Sequence, residues 1–170
     1  MFELALFEPE IPQNTGNLIR LAANTGVRLH LIEPLGFVWD DRRLRRAGLD
    51  YHETAAVSRH SSWTAFYSAI GASARVVAFS TRGHQRYDQF RYQRSDILLF
   101  GPETRGLPQA LLDSLPAEQR VVLPMVEGSR SLNLANAAAI GVYEALRQQN
   151  FAGLVGNSGP QPDPQPNAQA

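Results

Sequence analysis

The sequence predicts one α/β domain, built on a parallel β-sheet with helices on both faces. Apolar runs of strand length alternate with segments of helical periodicity from residue 2 to about residue 149. The first strand, helix and strand together span about 30 residues, which is the size of a βαβ unit and implies parallel strands. The chain of 170 residues is 44% hydrophobic, which is enough for a single core. We expect five or six strands.

A strand–helix–strand unit opens the chain. The apolar run Phe2–Phe7 predicts a buried strand, and two prolines in the segment EPEIPQ end it. In the segment NTGNLIRLAANTG, Asn14 is the predicted N-cap of a helix and Gly26 its C-terminal stop. The run Arg28–Ile32 predicts the second strand. The apolar face of the helix has the spacing i, i+3, i+4, i+7 and consists of Leu18, Leu21, Ala22 and Thr25.

The remaining elements follow in order. The polar segment DDRRLRRAGLDYH predicts a short helix, and SSWTAFYSAI predicts a helix with a serine cap. Two apolar strands precede a short helix in PQALLDSL, and a last strand precedes a long C-terminal helix that runs to about Gln149. These three predicted strands are Arg75–Ser80, Asp96–Phe100 and Arg120–Pro124.

The two ends of the chain indicate disorder at the C-terminus and no targeting or membrane-spanning segment at the N-terminus. Four of the last eleven residues are proline and no periodicity is present, so we expect a domain of residues 1–150 and a disordered tail of residues 151–170. The N-terminus has no basic region before its short apolar run, and no stretch approaches the roughly 18 apolar residues of a membrane span. We therefore expect a soluble, cytoplasmic protein.

The composition excludes several kinds of site. Cysteine is absent, which excludes disulfides, thiolate zinc sites and a cysteine nucleophile. All 16 basic residues are arginine, which excludes a Walker A phosphate loop, a Schiff-base lysine and a lysine general base. The net charge is zero, so a nucleic-acid surface must be a local arginine patch. No acidic cluster indicates a metal site.

Three polar stretches, each after a predicted strand, are the candidate functional segments. In the first helix Asn17, Arg20 and Asn24 share one face, which is also compatible with an ordinary solvated surface. The segment FGPETRGLP places Glu103 and Arg105 after a strand, at the edge where parallel sheets bind ligands. A tight turn without a ligand has the same pattern.

The third stretch, EGSRS, leads into the last helix, for which Ser131 or Asn133 is the predicted N-cap. One face of this helix consists of small residues, which would let another backbone or helix approach closely. A separate stripe carries larger side chains. The small face is Ala137, Ala138, Gly141 and Ala145, and the stripe is Asn136, Ile140, Tyr143 and Arg147.

As an ordered set, these stretches resemble a known family. The patterns Asn-x-Gly-Asn-x-x-Arg, Phe-Gly-Pro-Glu-x-x-Gly and Pro-Met-x-x-x-x-Arg-Ser-Leu-Asn-x-x-x-Ala are similar to the motifs of the SPOUT class of S-adenosylmethionine-dependent RNA methyltransferases. The similarity runs from about Phe2 to Arg147. The flanking segments, such as EPEIPQNTGNLIRLAANTG and HLIEPLGF, resemble the branch that 2′-O-methylates the wobble nucleotide of certain leucine tRNAs.

The resemblance implies a fold, a cofactor and an assembly. It implies a deep C-terminal trefoil knot, which periodicity does not predict. It also implies a homodimer in which the stripe of the last helix faces the partner subunit, and a tRNA anticodon stem-loop as substrate. S-adenosylmethionine would be held in a bent form by backbone groups of three loops, without a metal, and Gly101 would permit its close approach. The implied cofactor contacts are Phe79, Gly101, Leu123, Met125, Ser131 and Leu132.

The resemblance also implies catalytic and RNA-binding residues. Deprotonating the guanidinium of Arg20 near pH 7 costs roughly 7 kcal/mol, so we expect this residue to clamp phosphate and stabilise the developing alkoxide. Glu103 and Asn133 would orient Arg20 or the ribose, and we favour an Arg20 that serves the partner's site. The four clustered arginines after Asp41 are also compatible with a solvated helix. The expected RNA contacts are Asn17, Arg42, Arg43, Arg45, Arg46 and Arg130.

Two other functions stay open at this level. The chain is also compatible with a ribose 2′-O-methyltransferase of the same superfamily that acts on another tRNA site or on ribosomal RNA. From a different class, it is compatible with a non-catalytic RNA-binding or nucleotide-binding α/β module. Methyl transfer from S-adenosylmethionine to tRNA separates the enzyme from the module.

Overall fold

A computed structural model describes residues 2–40 and 57–156, and these residues form one sheet of seven strands in which every strand pair is parallel. The strands are β1 (Glu3–Phe7), β2 (Arg28–Ile32), β3 (Val57–His60), β4 (Val76–Phe79), β5 (Gln85–Arg86), β6 (Ile97–Phe100) and β7 (Arg120–Val122). The helices are α1 (Pro12–Thr25), α2 (Trp63–Ile70), α3 (Gln109–Ser114) and α4 (Leu134–Gln148), with a 3-10 turn at Ala117–Gln119. The strand order is β3-β2-β1-β6-β4-β7-β5. The predicted parallel α/β class is confirmed.

The first βαβ unit is confirmed, with one correction at the start of its helix. Gly26 has a φ of 69°, the left-handed conformation that ends α1 as predicted. The prediction of Asn14 as N-cap is wrong, because α1 begins at Pro12 and its N-cap is Ile11. The side chain of Asn14 is buried and serves a tertiary contact instead. Further along, the predicted serine cap is Ser62, whose hydroxyl accepts a hydrogen bond from the amide of Ala65.

Two strands were missed by the sequence analysis, and both lie at edges of the sheet. β3 pairs only with β2 and has the sequence VSRH, while β5 pairs only with β7 and consists of two polar residues. Short, polar edge strands carry little apolar periodicity, and their brevity limits pairing with other chains. A sequence pattern therefore gives little signal for them.

The core consists of two layers, one on each face of the sheet. Alternate residues of β1 point to opposite faces, so Leu4 and Leu6 join one cluster while Ala5 and Phe7 join the other. α1 and α4 cover the first face, and α2 and α3 cover the second. Helices on both faces are thus confirmed. No helix in the described part of the chain has the length and apolar character needed to cross a membrane.

The last helix begins and ends close to the predicted positions. Asn133 is its N-cap, because the side-chain Oδ1 accepts hydrogen bonds from the amides of Ala135 and Asn136 at 2.9 and 3.3 Å. After α4, the amide of Phe151 donates to the carbonyl of Leu146, and Leu154 packs against the core. The domain boundary at residue 150 stays a prediction, and most of the predicted tail lies outside the described residues.

Two further predictions are not tested by this description. The helix predicted for DDRRLRRAGLDYH falls almost wholly on residues 41–56, which lie outside the described part of the chain. The trefoil knot stays a prediction, because strand order does not specify which segment crosses over which.

Candidate functional site

The three loops predicted to hold a cofactor leave the sheet at one place. β6, β4 and β7 are neighbours, and their register aligns Phe100, Phe79 and Val121 in one row. Gly101 follows β6 and Leu123 follows β7, so both lie at the carboxyl edge of the sheet beside the end of β4. Segments far apart in sequence therefore meet where open parallel sheets form ligand sites.

The side chain of Phe79 is part of the core at this edge of the sheet. Its ring stacks on that of Phe100, with centroids 4.4 Å apart and planes inclined by 19°. A Cβ added at Gly141 would lie 2.7 Å from Cζ of Phe79, so the small face of α4 admits an aromatic ring at this point. Because the ring is buried, Phe79 can contact a ligand at this edge mainly through its backbone.

Gly101 lies in close contact with the turn that follows it. A Cβ at this position would lie 2.4 Å from the backbone nitrogen of Leu107 and 2.6 Å from the carbonyl carbon of Gly106. The missing side chain thus permits the loop after β6 to fold back on itself. Whether a cofactor also approaches the backbone of Gly101 stays a prediction. The amide of Gly106 closes this turn by donating to the carbonyl of Pro102 at 3.0 Å.

The carboxylate of Glu103 binds the start of α1. Its Oε2 accepts a hydrogen bond from the amide of Glu10 at 2.8 Å. Its Oε1 accepts from the amide of Ile11 at 3.2 Å and from Nδ2 of Asn14 at 2.9 Å. Ile11 has no capping side-chain bond and Pro12 has no amide hydrogen, so a distant loop supplies the acceptor and places negative charge at the positive end of the helix.

Asn14 joins this contact to the last helix. While its Nδ2 donates to Glu103, its Oδ1 accepts a hydrogen bond from Nδ2 of Asn133 at 2.9 Å. Asn14 is 5% exposed, so both ends of its amide are satisfied as burial requires. Asn133 in turn caps α4. The result is a continuous Glu103–Asn14–Asn133 chain between the β6 loop, α1 and α4.

A second, more exposed set of contacts joins the loop before α1 to the loop after β6. Oε2 of Glu10 accepts hydrogen bonds from the amide and the hydroxyl of Thr104 at 3.0 and 2.7 Å, and Oε1 accepts from Arg105 at 2.7 Å. Arg105 also donates to Glu8. The Thr104 hydroxyl holds the pKa of the Glu10 carboxyl below its ordinary value. The loop before α1 and the loop after β6 therefore clasp each other reciprocally.

Arg20 and Asn17 lie on the exposed face of α1, opposite the buried Leu18 and Ala22. Arg20 is six residues beyond Asn14, about 9 Å along the helix axis. The Glu103–Asn14–Asn133 chain fixes the first turn of the helix that carries Arg20. Whether Glu103 and Asn133 also orient the guanidinium or a ribose stays a prediction.

The segment between β7 and α4 completes the edge. Leu123 and Met125 are half-buried, and Leu123 packs against the core. Arg130, Ser131 and Leu132 are exposed in the stretch that leads to the Asn133 cap. This segment therefore offers apolar side chains and backbone groups next to the ends of β4 and β6.

The donor set at this edge fits S-adenosylmethionine better than a metal ion. Within residues 2–40 and 57–156, no group of three His, Cys, Asp or Glu side chains is arranged to hold a metal. The apolar Leu123, Met125 and Leu132, with the backbone around them, suit an adenine ring, which needs apolar walls and a few hydrogen bonds. The predicted RNA contacts Arg42, Arg43, Arg45 and Arg46 lie outside the described residues.

Sequence reasoning missed several residues of this edge. Asn14 was assigned to a local cap, and the roles of Glu8, Glu10 and Thr104 were not recognised. Their partners are about 90 positions away, so no local pattern reports them. The one available signal was charge complementarity between the acidic EPE segment and the ETR segment.

Comparisons with known proteins agree with this geometry. The model of the family described as the SpoU rRNA methylase family matches residues 1–143. The chain is 57% identical over 155 residues to the tRNA (cytidine(34)-2′-O)-methyltransferase of Escherichia coli K12, covering 91% of this chain and 98% of that protein.

Solved structures give the same result. A structure described as giving insights into the 2′-OH methylation of C/U34 on tRNA is 47% identical, with a TM-score of 0.80, and covers 88% of this chain and 91% of its own. The SpoU methyltransferase AviRb of Streptomyces viridochromogenes, solved in complex with S-adenosylmethionine, is 27% identical, with a TM-score of 0.70. That match covers 88% of this chain and 58% of its own.

Proposed function

Because the chain belongs to the SpoU rRNA methylase family, we propose that it transfers a methyl group from S-adenosylmethionine to the ribose 2′-hydroxyl of the wobble nucleotide of tRNA. The observation that carries this proposal is the 57% identity, along nearly the whole length, to an enzyme named for cytidine 34 of tRNA. We further propose that the substrates are leucine isoacceptors with cytidine or uridine at position 34, and that the protein acts in the cytoplasm.

When bound, S-adenosylmethionine supplies the electrophilic methyl group. Backbone groups near Phe79, Gly101 and Leu123 would hold it at the carboxyl edge of the sheet, and the exposed Ser131 and Leu132 would close the outer side. The half-buried Met125 would add an apolar wall. No side chain at this edge needs to be charged to bind the cofactor, so cofactor affinity should depend on loop geometry more than on salt.

Arg20 is the residue we propose for the reaction itself. It would bind an RNA phosphate and stabilise the negative charge that develops on the 2′-oxygen. The proton leaves to solvent or to an RNA phosphate, because a guanidinium stays protonated near neutral pH. The Glu103–Asn14–Asn133 chain would act by fixing α1 against the cofactor loops. Asn17 and Arg130 would contact the RNA backbone.

The stripe on α4 supports a homodimer as part of this proposal. Tyr143 and Ile140 are 49% and 39% exposed, and their i, i+3 spacing places them side by side on one face of α4. Tyr143→Glu is expected to weaken self-association, measured by analytical ultracentrifugation. Unchanged association would place the dimer interface elsewhere.

A mixed-dimer experiment asks which subunit supplies Arg20. Arg20→Ala removes the arginine, and Leu132→Asp puts a charge into the exposed cofactor wall. If Arg20 serves the partner's site, one site of the mixed dimer is intact, so exchange of the two inactive variants restores up to about half of wild-type activity per mixed dimer. If Arg20 serves its own site, verified subunit exchange restores nothing.

Tritiated methyl transfer to total tRNA, followed by nuclease mapping, tests the proposed reaction. Label in a nuclease-resistant dinucleotide that contains nucleotide 34 of leucine tRNA supports it. Label at another tRNA ribose, or in ribosomal RNA only, would favour the alternative methyltransferase. RNA binding without any transfer would favour the non-catalytic module.

A further inference from the structure

The loop between β5 and β6 presents two arginines on a firmly held backbone. Phe90 and Tyr92 are buried in the core, with their rings 4.9 Å apart, and Arg91 and Arg94 point to solvent between and after them. This alternation is typical of an extended segment that packs one side and exposes the other. The loop leads into Ile97, so it lies at the amino-terminal edge of the sheet, opposite the candidate cofactor loops.

An ion pair between Arg75 and the buried Asp96 holds this loop in place. Asp96 is fully buried, and its carboxylate accepts hydrogen bonds from Nε and Nη2 of Arg75 at 2.7 and 2.8 Å. Nη2 of Arg75 also donates to the carbonyl of Arg91 at 2.7 Å, and the amide of Gln93 donates to Asp96 at 2.8 Å. The guanidinium of Arg75 lies 4.9 Å from the ring centroid of Phe90. The backbone of Arg91 is therefore held by Arg75, whose own charge is paired with Asp96.

The last helix holds the loop from the side. The side chain of Gln148 donates to the carbonyl of Phe90 at 2.9 Å and accepts from the amide of Tyr92 at 3.0 Å. Gln149 donates to the carbonyl of Tyr92 at 3.3 Å. Gln148 of α4 and Gln149, which caps the end of that helix, thus hydrogen-bond to this backbone as a neighbouring strand would.

The charges of Arg91 and Arg94 are unmatched by any other described residue. In the described ranges, 2–40 and 57–156, no carboxylate pairs with either guanidinium. By contrast, Arg86 and Arg147 bind Asp88 and Glu144 at 2.7 and 2.8 Å. In a protein of zero net charge, two uncompensated cations on one ordered loop create a local positive surface.

Arg28 extends this surface along the same edge. It begins β2, faces Glu3 in the register with β1, and Glu3 faces Ile97 of β6, so Arg28 and Ile97 lie about 10 Å apart across two strands. Its side chain is 62% exposed, and its Nη1 lies 3.8 Å from Oε1 of Glu3, while Oε2 of Glu3 is bound by His30. Arg28, Arg91 and Arg94 together form what we call the amino-edge patch.

We propose that the amino-edge patch binds the phosphate backbone of the RNA stem that extends away from the methylated nucleotide. This inference rests on the proposed function for the identity of the RNA. β6 spans about 13 Å between the patch and the loop of Gly101, which a short RNA stem can bridge. Guanidinium groups on an ordered backbone suit phosphate oxygens, and no apolar side chain of the loop is exposed to suit a protein or lipid partner.

The test compares two double variants that remove the same net charge. Arg91→Gln with Arg94→Gln removes the unmatched cations, and Arg86→Gln with Arg147→Gln removes matched ones. Binding of tRNA that the enzyme has not yet methylated is measured by fluorescence anisotropy over a range of salt concentrations. Each lost phosphate contact should reduce the slope of log affinity against log salt by about 0.9, and lower affinity at 0.1 M salt by up to about eightfold. The control should change the slope by much less.

A trimmed RNA gives the second readout. On a hairpin reduced to the anticodon loop and its closing pairs, the Arg91/Arg94 variant should bind and be methylated like the wild type, which also shows that it is folded. Equal salt slopes for the two double variants on tRNA would overturn the proposal. So would a variant that binds tRNA normally but loses affinity for anionic vesicles. Absence of methylation by the wild type would refute the proposed function, while the binding comparison would still decide the patch.

Discussion

Replacing Glu103 tests whether the Glu103–Asn14–Asn133 chain holds the first turn of α1. Two of the three donors that this carboxylate accepts, the amide of Glu10 and the side chain of Asn14, are partly buried. The third, the amide of Ile11, is exposed and can bind water instead. At about 1.5 kcal/mol for each partly buried bond to a charged acceptor, Glu103→Ala should lower the free energy of unfolding by about 3 kcal/mol. Glu103→Gln keeps one acceptor oxygen and should cost about half as much.

Urea unfolding measures this effect. With an m-value of about 2 kcal/mol per M, Glu103→Ala should shift the midpoint by about 1.5 M. Glu118→Ala is the matched control, since Glu118 is exposed in the 3-10 turn, and it should stay within about 0.5 kcal/mol of the wild type. If Glu103→Ala and Glu118→Ala give the same midpoint, the Glu103–Asn14–Asn133 hydrogen-bond chain does not stabilise α1.

Four further predictions concern the turn after β6, a half-buried histidine, the cofactor and the arginine proposed for the reaction. Gly101→Ala should destabilise the fold by about 1–3 kcal/mol in thermal unfolding, because the added Cβ meets the backbone of Leu107. Gly156→Ala is the control and should not destabilise the fold, since an added Cβ there has no atom within 4 Å. Equal melting temperatures for the two variants would contradict this. Burial, and then the charge of His30, lower the pKa of His60, so the unfolded state binds more protons and stability should fall as pH drops below about 6.5. His60→Gln should flatten that dependence and the exposed His84→Gln should not; a persistent slope in His60→Gln would assign it to another group. Calorimetric titration with S-adenosylmethionine should give one site per chain with the same affinity after chelator treatment, and loss of binding with EDTA would contradict a metal-free site. Arg20→Ala should keep that affinity while lowering the methyl-transfer rate by about 100-fold, and a rate within a factor of a few of the wild type would remove Arg20 from the reaction.

Features that depend on neighbouring residues were predictable from the sequence. Gly26 ends α1 because the left-handed conformation there favours glycine, and that requirement is local. The serine cap of α2 and the strands β1 and β2 likewise follow from short-range patterns. The expectation of a ligand site at the carboxyl edge followed from the parallel order of the strands. Phe79, Gly101 and Leu123, which the family resemblance implied, do lie side by side at that edge.

Features that depend on distant residues were not predictable in the same way. Asn14 has the residue type and position of a local N-cap, but its amide is used by Glu103 and Asn133, 89 and 119 positions away. The amino-edge patch depends on β-sheet register, which places Arg28 near residues of a loop some 60 positions later in the chain.

The most direct test of the proposed reaction is methyl transfer to a synthetic anticodon stem-loop with a single 2′-deoxy substitution at nucleotide 34. We expect one methyl group per molecule of the all-ribose stem-loop of a leucine tRNA, and none on the substituted one, with equal binding of both RNAs. Equal incorporation into both stem-loops would contradict it, because the methyl group would then lie on another atom.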